Sequence, residues 1–194
     1  MRHKTRINLV MKPEYAISTE TIIILPDYNE NGFLNSLLCK KDGVSKAGLS
    51  PYNLIDTNLR FRGSSMRGAL EGAQAILGKM NMNPLILDKE QDIILFPCRS
   101  PQREDCVWLA LQHVKQYRSA GKSRTQVELS NGSTITLDVS RQTFEKKIQR
   151  AYELRFKMQA QRMQFEGKVM EMGITYHLIK NRDRRNYEDG ELVE

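Results

Sequence analysis

A glycine- and serine-containing segment, residues 63–68, is the first place where the residue types could support chemistry. It resembles a phosphate-binding loop, but a Walker loop requires Lys and then Ser or Thr after its second glycine, and Ala69 follows here. A nucleophile elbow would require glycine at the position of Arg67. No base lies near Ser64 or Ser65 in the sequence, so we expect no enzyme. The alternative is an enzyme that uses one of these serines with distant partners.

The same segment is suited to contact with a polyanion such as nucleic acid. Glycine lets the backbone approach a ligand closely, and hydroxyl and amide groups at a helix start can bind phosphate. Further cations follow downstream, although some cations of this kind are ordinary solvated surface. The candidate DNA-binding residues are Arg60, Arg62, Ser64, Ser65 and Arg67 in and beside the segment, and Lys115, Arg118, Lys122 and Arg124 downstream.

The charge balance also favours a polyanionic partner. The chain has a formal net charge of +7, and residues 140–165 contain seven Lys or Arg but two Asp or Glu. Its composition, 40% apolar and 27% charged, is typical of a globular protein. The apolar run at residues 22–25 is far too short for a membrane span, and no apolar stretch follows the basic residues 1–6. We therefore expect a cytoplasmic protein with no membrane contact.

The cysteines predict neither a disulfide framework nor a metal site. Cys39, Cys98 and Cys106 are odd in number and form no C-x-x-C pair, which favours reduced and mostly buried thiols. Cys98, Cys106 and His113 match no zinc-ligand spacing, and a fourth ligand is missing. We expect no metal and no cofactor.

The apolar periodicity predicts an α+β fold with three parts: an extended arm at residues 1–16, one domain at 17–165 and a polar tail at 166–194. Strands are predicted at 19–25, 84–87 and 92–96, and a helix at 64–77 with Ser64 as its N-cap and Gly78 at its end. Residues 106–117 fit either helix or strand, and residues 27–51 are ambiguous. Val127 can face Ile135 only across a three-residue turn, 130–132, with Gly132 in the left-handed region.

Residues 140–163 predict one long amphipathic, basic helix. Its apolar stripe, which includes Phe144, Ile148 and Met158, could pack on the chain's own sheet or form a dimer contact. Its other side carries Lys146, Arg150 and Lys157, which fit solvated surface, DNA contact or a protein interface. The expected class is thus a mostly antiparallel β-sheet with a central short helix and this helix near the C-terminus.

Several short segments together resemble the ComK family of competence regulators from low-GC Gram-positive bacteria. The central one is Arg60-Phe61-Arg62-Gly63-Ser64-Ser65 with Gly68. The resemblance covers residues 17–162 and depends on the order and spacing of its segments. The others are Ile55-Asp56, Pro84-Leu85-Ile86-Leu87-Asp88, Ile94-Leu95-Phe96-Pro97, Ser100-Pro101, Cys106-Val107-Trp108-Leu109, His113-Val114-Lys115, Ser130-Asn131-Gly132, and Ser140 with Phe144.

The resemblance implies a DNA-binding transcription activator of DNA-uptake genes. Such proteins recognise paired A-rich and T-rich boxes largely through the minor groove, as multimers built from dimers. It also implies RNA polymerase and an adaptor of a Clp protease as partners, and association with the nucleoid. On this interpretation Arg60, Arg62 and Arg67 approach the minor groove, because A-tracts are narrow and strongly electronegative there. The downstream cations, Lys115, Arg118, Lys122 and Arg124, bind phosphates.

The sequence departs from the family pattern beside the paired serines. The family usually has an aromatic residue there and then Gly-Arg, whereas this chain has Met66 and then Gly68-Ala69. Arg67 could supply the missing charge from a neighbouring position. The departure leaves a second interpretation open, in which a ComK-like interaction protein has lost specific DNA binding.

Overall fold

Runs of apolar residues in two separate parts of the chain form a six-stranded antiparallel sheet. The computed structural model describes residues 11–79, 82–168, 178–180 and 187–189. It divides the chain into two compact units, residues 1–158 and 159–194. The sheet belongs to the first unit and has the order β3-β2-β1-β6-β5-β4. The strands are β1 (Thr21–Tyr28), β2 (Leu34–Lys40), β3 (Gly43–Ala47), β4 (Leu85–Asp88), β5 (Ile93–Pro97) and β6 (Trp108–Ala110).

Two helices, α1 (Pro51–Phe61) and α2 (Met66–Leu77), pack on one face of this sheet. Ser50 caps α1 by accepting from the Asn53 amide at 3.3 Å, and proline occupies the first helical position, where its missing N–H costs nothing. The core on this face contains Ile24, Leu95 and Trp108, all fully buried. The sequence did not predict α1.

The predicted helix at 64–77 is confirmed, but its N-cap is Ser65 and not Ser64. The Gly68 amide donates to Ser65 Oγ at 3.1 Å, and Ser65 has the extended backbone typical of a cap. Gly78 ends the helix as expected, with a φ of +84° that favours glycine.

A three-stranded antiparallel sheet and a long helix cover the other face of the large sheet. The strands are β7 (Val114–Ser119), β8 (Thr125–Leu129) and β9 (Thr134–Leu137), and the helix is α3 (Arg141–Lys168). The ambiguous stretch 106–117 contains β6, a 3-10 turn at Leu111–His113 and most of β7. Phe144 of α3 contacts two aromatic rings, Phe96 at 5.8 Å and Tyr117 at 5.2 Å between centroids.

The predicted β8–β9 turn is confirmed. Val127 pairs with Ile135, and the Leu129 amide donates to the Ser133 carbonyl at 2.8 Å, which leaves residues 130–132 as the loop. Gly132 has a φ of +82°. The apolar side chains of both strands therefore face the core.

The apolar stripe of α3 packs on the chain's own core. Phe144, Ile148, Ala151 and Leu154 are each at most 4% exposed, which supports the packing alternative over the dimer contact for this stripe. The opposite, basic side is not simply solvated. Arg150 Nη2 donates to the Leu77 carbonyl at 3.2 Å, and Lys157 Nζ donates to the Ile76 carbonyl at 3.3 Å. Both cations thus stabilise the C-terminal end of α2.

The chain ends are described in part. The predicted arm at 1–16 is described from residue 11, and Pro13–Tyr15 form a 3-10 turn instead of an extended segment. Tyr15 Oη accepts from the Gly48 amide at 3.3 Å. In the second unit, β10 (Leu178–Lys180) pairs with β11 (Tyr187–Asp189), and the rest of the predicted tail lies outside the described residues. None of the described helices has the length and apolar character that a membrane crossing requires. The α+β class is confirmed.

Candidate nucleic-acid interface

The junction between α1 and α2 brings five candidate residues together: Arg60, Arg62, Ser64, Ser65 and Arg67. The chain reverses direction at Gly63, whose φ of +77° lies in the left-handed region. The Ser64 amide then donates to the Leu59 carbonyl at 2.8 Å, which closes the turn before α2 begins. This segment, residues 60–67, is called the junction below.

The start of α2 already holds a carboxylate from the chain itself. Asp56 Oδ1 accepts from the Met66 amide at 2.7 Å, and Asp56 Oδ2 accepts from Arg60 Nε at 2.6 Å. Burial raises the pKa of Asp56, but these two hydrogen bonds outweigh it and hold the pKa below its ordinary value. The backbone donors expected to meet a polyanion at this helix start are therefore partly used within the protein.

Arg62 is the most enclosed of the junction cations. Its Nε donates to Asp88 Oδ2 at 3.1 Å, its Nη2 to the Ile17 carbonyl at 2.9 Å and its Nη1 to the Asn58 carbonyl at 3.2 Å. Its side chain is 23% exposed. The guanidinium thus joins α1, the segment before β1 and the end of β4, which is a positioning role. DNA contact by Arg62 stays a prediction.

The other junction cations lie at the surface. The Arg60 side chain is 60% exposed and that of Arg67 is 86% exposed. Arg67 Nε donates to Glu71 one turn later in α2, at 2.7 Å. Ser64 is exposed and Ser65 is half-buried. All three junction arginines are therefore paired with a carboxylate of the chain.

The second group of candidates lies on one hairpin. Lys115 and Arg118 belong to β7, Lys122 lies in the turn, Arg124 directly precedes β8, and all four are exposed. No Asp or Glu occurs from Cys106 to Val127. Arg118 Nε donates to the neutral side chain of Gln126 at 2.7 Å. Arg124 lies 3.4 Å from Asp138, whereas Lys115 and Lys122 form no ion pair with any residue that the structure describes.

The two groups lie on opposite faces of the large sheet. The junction belongs to the helices that pack with Trp108, whereas the β7–β8 hairpin packs on the face that contains Leu109. The two groups also lie near opposite ends of β5. Arg62 contacts Asp88, which pairs with the first residue of β5, whereas Arg124 shares Asp138 with Arg99, two residues after the end of β5. The structure assembles each group but keeps the two apart.

Sequence reasoning missed the residues that shape the junction. Asn58 is fully buried, accepts from the Ile17 amide at 2.9 Å and donates to the Tyr15 carbonyl at 2.8 Å. Asp56 and Asp88 bind Arg60 and Arg62. The spacing of Asp56 and Arg60, four residues apart, was a readable signal once a helix is assumed there. The Asp88 pairing had no local signal.

Residues 12–163 match the family model of the ComK protein. The chain belongs to the ComK family. The similarity noted in the sequence is thereby confirmed. A curated relative, the competence transcription factor of Bacillus subtilis (strain 168), is 32% identical over 145 residues, which cover 75% of this chain and 75% of the relative. No solved structure matches the chain.

Proposed function

We propose that this ComK-family protein is a DNA-binding transcription activator of competence genes and not an enzyme. Membership of the family and the name of the relative, a competence transcription factor, support this proposal. The net charge of +7 also suits a DNA partner, because cations that neutralise phosphates release counterions from the duplex.

The observation that carries the proposal is the group of exposed cations on the β7–β8 hairpin. Four cations lie within ten residues, Lys115 to Arg124, and no carboxylate lies among them in the sequence. Like charges at this density repel one another unless an anion approaches. A DNA backbone supplies that anion in a regular array.

In this proposal the protein recognises paired A-rich and T-rich boxes through the minor groove, as a multimer. Narrow A-tract grooves attract inserted Arg and Lys, and paired boxes fit subunits related by two-fold symmetry. The self-association surface lies outside the stripe that contains Ile148, since that stripe is buried in the chain's own core. RNA polymerase, a Clp-protease adaptor and the nucleoid are the expected partners and place of action.

The junction contributes a second contact area. Arg60 and Arg67 reach DNA from the exposed surface, with Ser64 and Ser65 as neighbouring hydroxyl donors. Their carboxylate partners, Asp56 and Glu71, must share these cations with phosphate. Arg62 keeps the junction in the required shape.

A mobility-shift assay tests the proposal. Purified protein should bind a duplex with paired A/T boxes more tightly than a scrambled duplex of equal length at the same salt concentration. Lys115→Ala should weaken binding to every duplex and flatten the salt dependence by about one unit. Lys46→Ala, on the edge strand β3, removes the same charge from a different surface and should leave binding unchanged.

Equal binding of the wild-type protein to boxed and scrambled duplexes would refute specific recognition. Absence of any shift with either duplex would favour the alternative, a ComK-like interaction protein that has lost DNA binding. The substitution of Met66 and Ala69 for the usual family residues is the feature that motivates this alternative.

A further inference from the structure

The turn of the β7–β8 hairpin combines cations with very small side chains. Residues 118–124 read Arg-Ser-Ala-Gly-Lys-Ser-Arg, and every one of them is exposed. Strand pairing ends at Ser119 and Thr125, after which the Ala120 amide donates to the Arg124 carbonyl at 3.0 Å. This segment, called the hairpin tip below, therefore presents three long cationic side chains on a backbone with little other bulk.

The cations of the hairpin tip are less compensated than those of the junction. Lys122 forms no ion pair within the described chain, and Arg118 is bonded to the neutral Gln126. Arg124 is paired, but at 3.4 Å, and the side chains of Arg124 and Asp138 are 64% and 71% exposed. The junction arginines instead bond carboxylates at 2.6–3.1 Å. An approaching polyanion meets less competition at the hairpin tip.

The shape of the tip suits a narrow groove. Paired strands lie about 4.8 Å apart between their axes, and their own atoms make the turn wider than this. The backbone of the turn therefore stays at the mouth of a minor groove about 6 Å wide, while extended cationic side chains can enter the groove. Ser119, Ala120, Gly121 and Ser123 leave the backbone free to come close to the mouth. Gly121 has a φ of +112°, which a larger residue rarely adopts.

We propose that the hairpin tip, residues 118–124, is the element that enters the minor groove of A/T-rich DNA, with Arg118, Lys122 and Arg124 as the inserted cations. The inference rests on the proposed function and reverses the roles expected from the sequence. Because the two groups lie on opposite faces of the sheet, the tip can act without the junction.

A bulky substitution at the tip tests this assignment without changing any charge. Ser123→Trp adds a large side chain at an exposed turn position and should lower affinity for the A/T-box duplex by at least about ten-fold. The matched control is Asn31→Trp, in the exposed turn between β1 and β2, where no change is expected. Both variants should keep the wild-type urea unfolding midpoint.

A second measurement locates the tip directly. Ser123→Cys, in a Cys39→Ser background, is labelled with an iron chelate that generates hydroxyl radicals, and Asn31→Cys in the same background is the control. Cys98 and Cys106 should stay unlabelled because both are buried and burial raises the pKa of both thiols. Cleavage of the two DNA strands with maxima offset toward their 3′ sides places the label in the minor groove.

The outcomes separate the inference from the proposed function. Weakened binding by Ser123→Trp with 3′-offset cleavage from residue 123 supports the inference. Wild-type affinity of Ser123→Trp, or cleavage from residue 123 no stronger than from residue 31, overturns it while the proposed function stands. If the unsubstituted protein does not distinguish the boxed duplex from the scrambled one, the proposed function fails and the inference fails with it.

Discussion

Replacing Arg62 by alanine removes the side chain that joins three parts of the first unit. The principal lost interactions are the ion pair with Asp88 and the hydrogen bonds to the carbonyls of Ile17 and Asn58. Each hydrogen bond to a charged group contributes about 1.5–3 kcal/mol, but the three share one side chain that is 23% exposed, so water replaces part of the loss. We expect the free energy of unfolding to fall by about 3 kcal/mol.

Urea unfolding followed by circular dichroism measures this change. With a denaturant dependence of about 2 kcal/mol per molar, the unfolding midpoint should fall by about 1.5 M. Arg62→Lys keeps the charge but not the planar fork of donors, so its unfolding midpoint should lie between those of the wild-type protein and Arg62→Ala. Arg67→Ala is the matched control, because the 86% exposed Arg67 side chain should leave the midpoint unchanged.

The pH dependence and the DNA affinity provide independent checks. The Gln91 amide and, against the effect of burial, the Arg62 guanidinium hold the pKa of Asp88 below its ordinary value. This stabilisation is present above the pKa of the unfolded chain and is lost as pH falls. The difference in free energy of unfolding between the wild-type protein and Arg62→Ala should therefore shrink below about pH 4. The salt dependence of DNA binding should not change. A midpoint shift below about 0.3 M, or a salt dependence flattened by about one unit, would contradict the positioning role.

Substitutions at four further positions test the rest of the fold. Burial lowers the pKa of His113, whose Nε2 lies 2.7 Å from the Thr19 carbonyl oxygen. The unfolded chain therefore binds more protons than the folded one, and the free energy of unfolding should fall as pH drops below about 6.5. His113→Gln should make this pH dependence weaker when the free energy of unfolding is measured by urea titration. Phe144→Ala should lower the free energy of unfolding by about 3–5 kcal/mol. Ile148→Asp should give an unfolded chain instead of a folded monomer in ultracentrifugation, because it places a charge in the core. Gly132→Ala should cost about 1–2 kcal/mol in urea, and Gly132→Asn less, because asparagine tolerates the left-handed region.

Local signals in the sequence were sufficient for elements with a strong period or a constrained turn. The register of β8 and β9 followed from the need to place Val127 and Ile135 on one face. Helix α1 was missed although Ser50 and Pro51 form a readable start, since its turns carry Asn and Thr side chains that obscure the apolar stripe. The order of the strands depends on pairings between distant residues, which no local pattern contains.

In the candidate site, too, local patterns predicted some features, whereas contacts between distant residues determined the others. Exposure of the hairpin cations agrees with the absence of acids around them in the sequence. The enclosure of Arg62 by other parts of the chain could not be predicted, because its partners Ile17 and Asp88 are 45 and 26 positions away. Arg150 was assigned to a solvated, DNA-facing or partner-facing side of α3, yet it donates to the Leu77 carbonyl, 73 positions earlier. Tertiary contacts determine which cations stay available to a ligand.

The large sheet consists of two halves, each formed by strands that are close in sequence, and this arrangement affects how the chain folds during synthesis. β1 to β3 lie within residues 21–47 and β4 to β6 within 85–110, and the pairs Ile23 with Leu109 and Ile24 with Trp108 connect the halves. At a synthesis rate of about 5–20 residues per second, β6 emerges roughly 3–13 s after the first half is complete. During that interval one edge of β1 has no partner strand and the isoleucines of β1 lack part of the core that buries them, so the nascent chain should bind chaperones most strongly before β6 emerges.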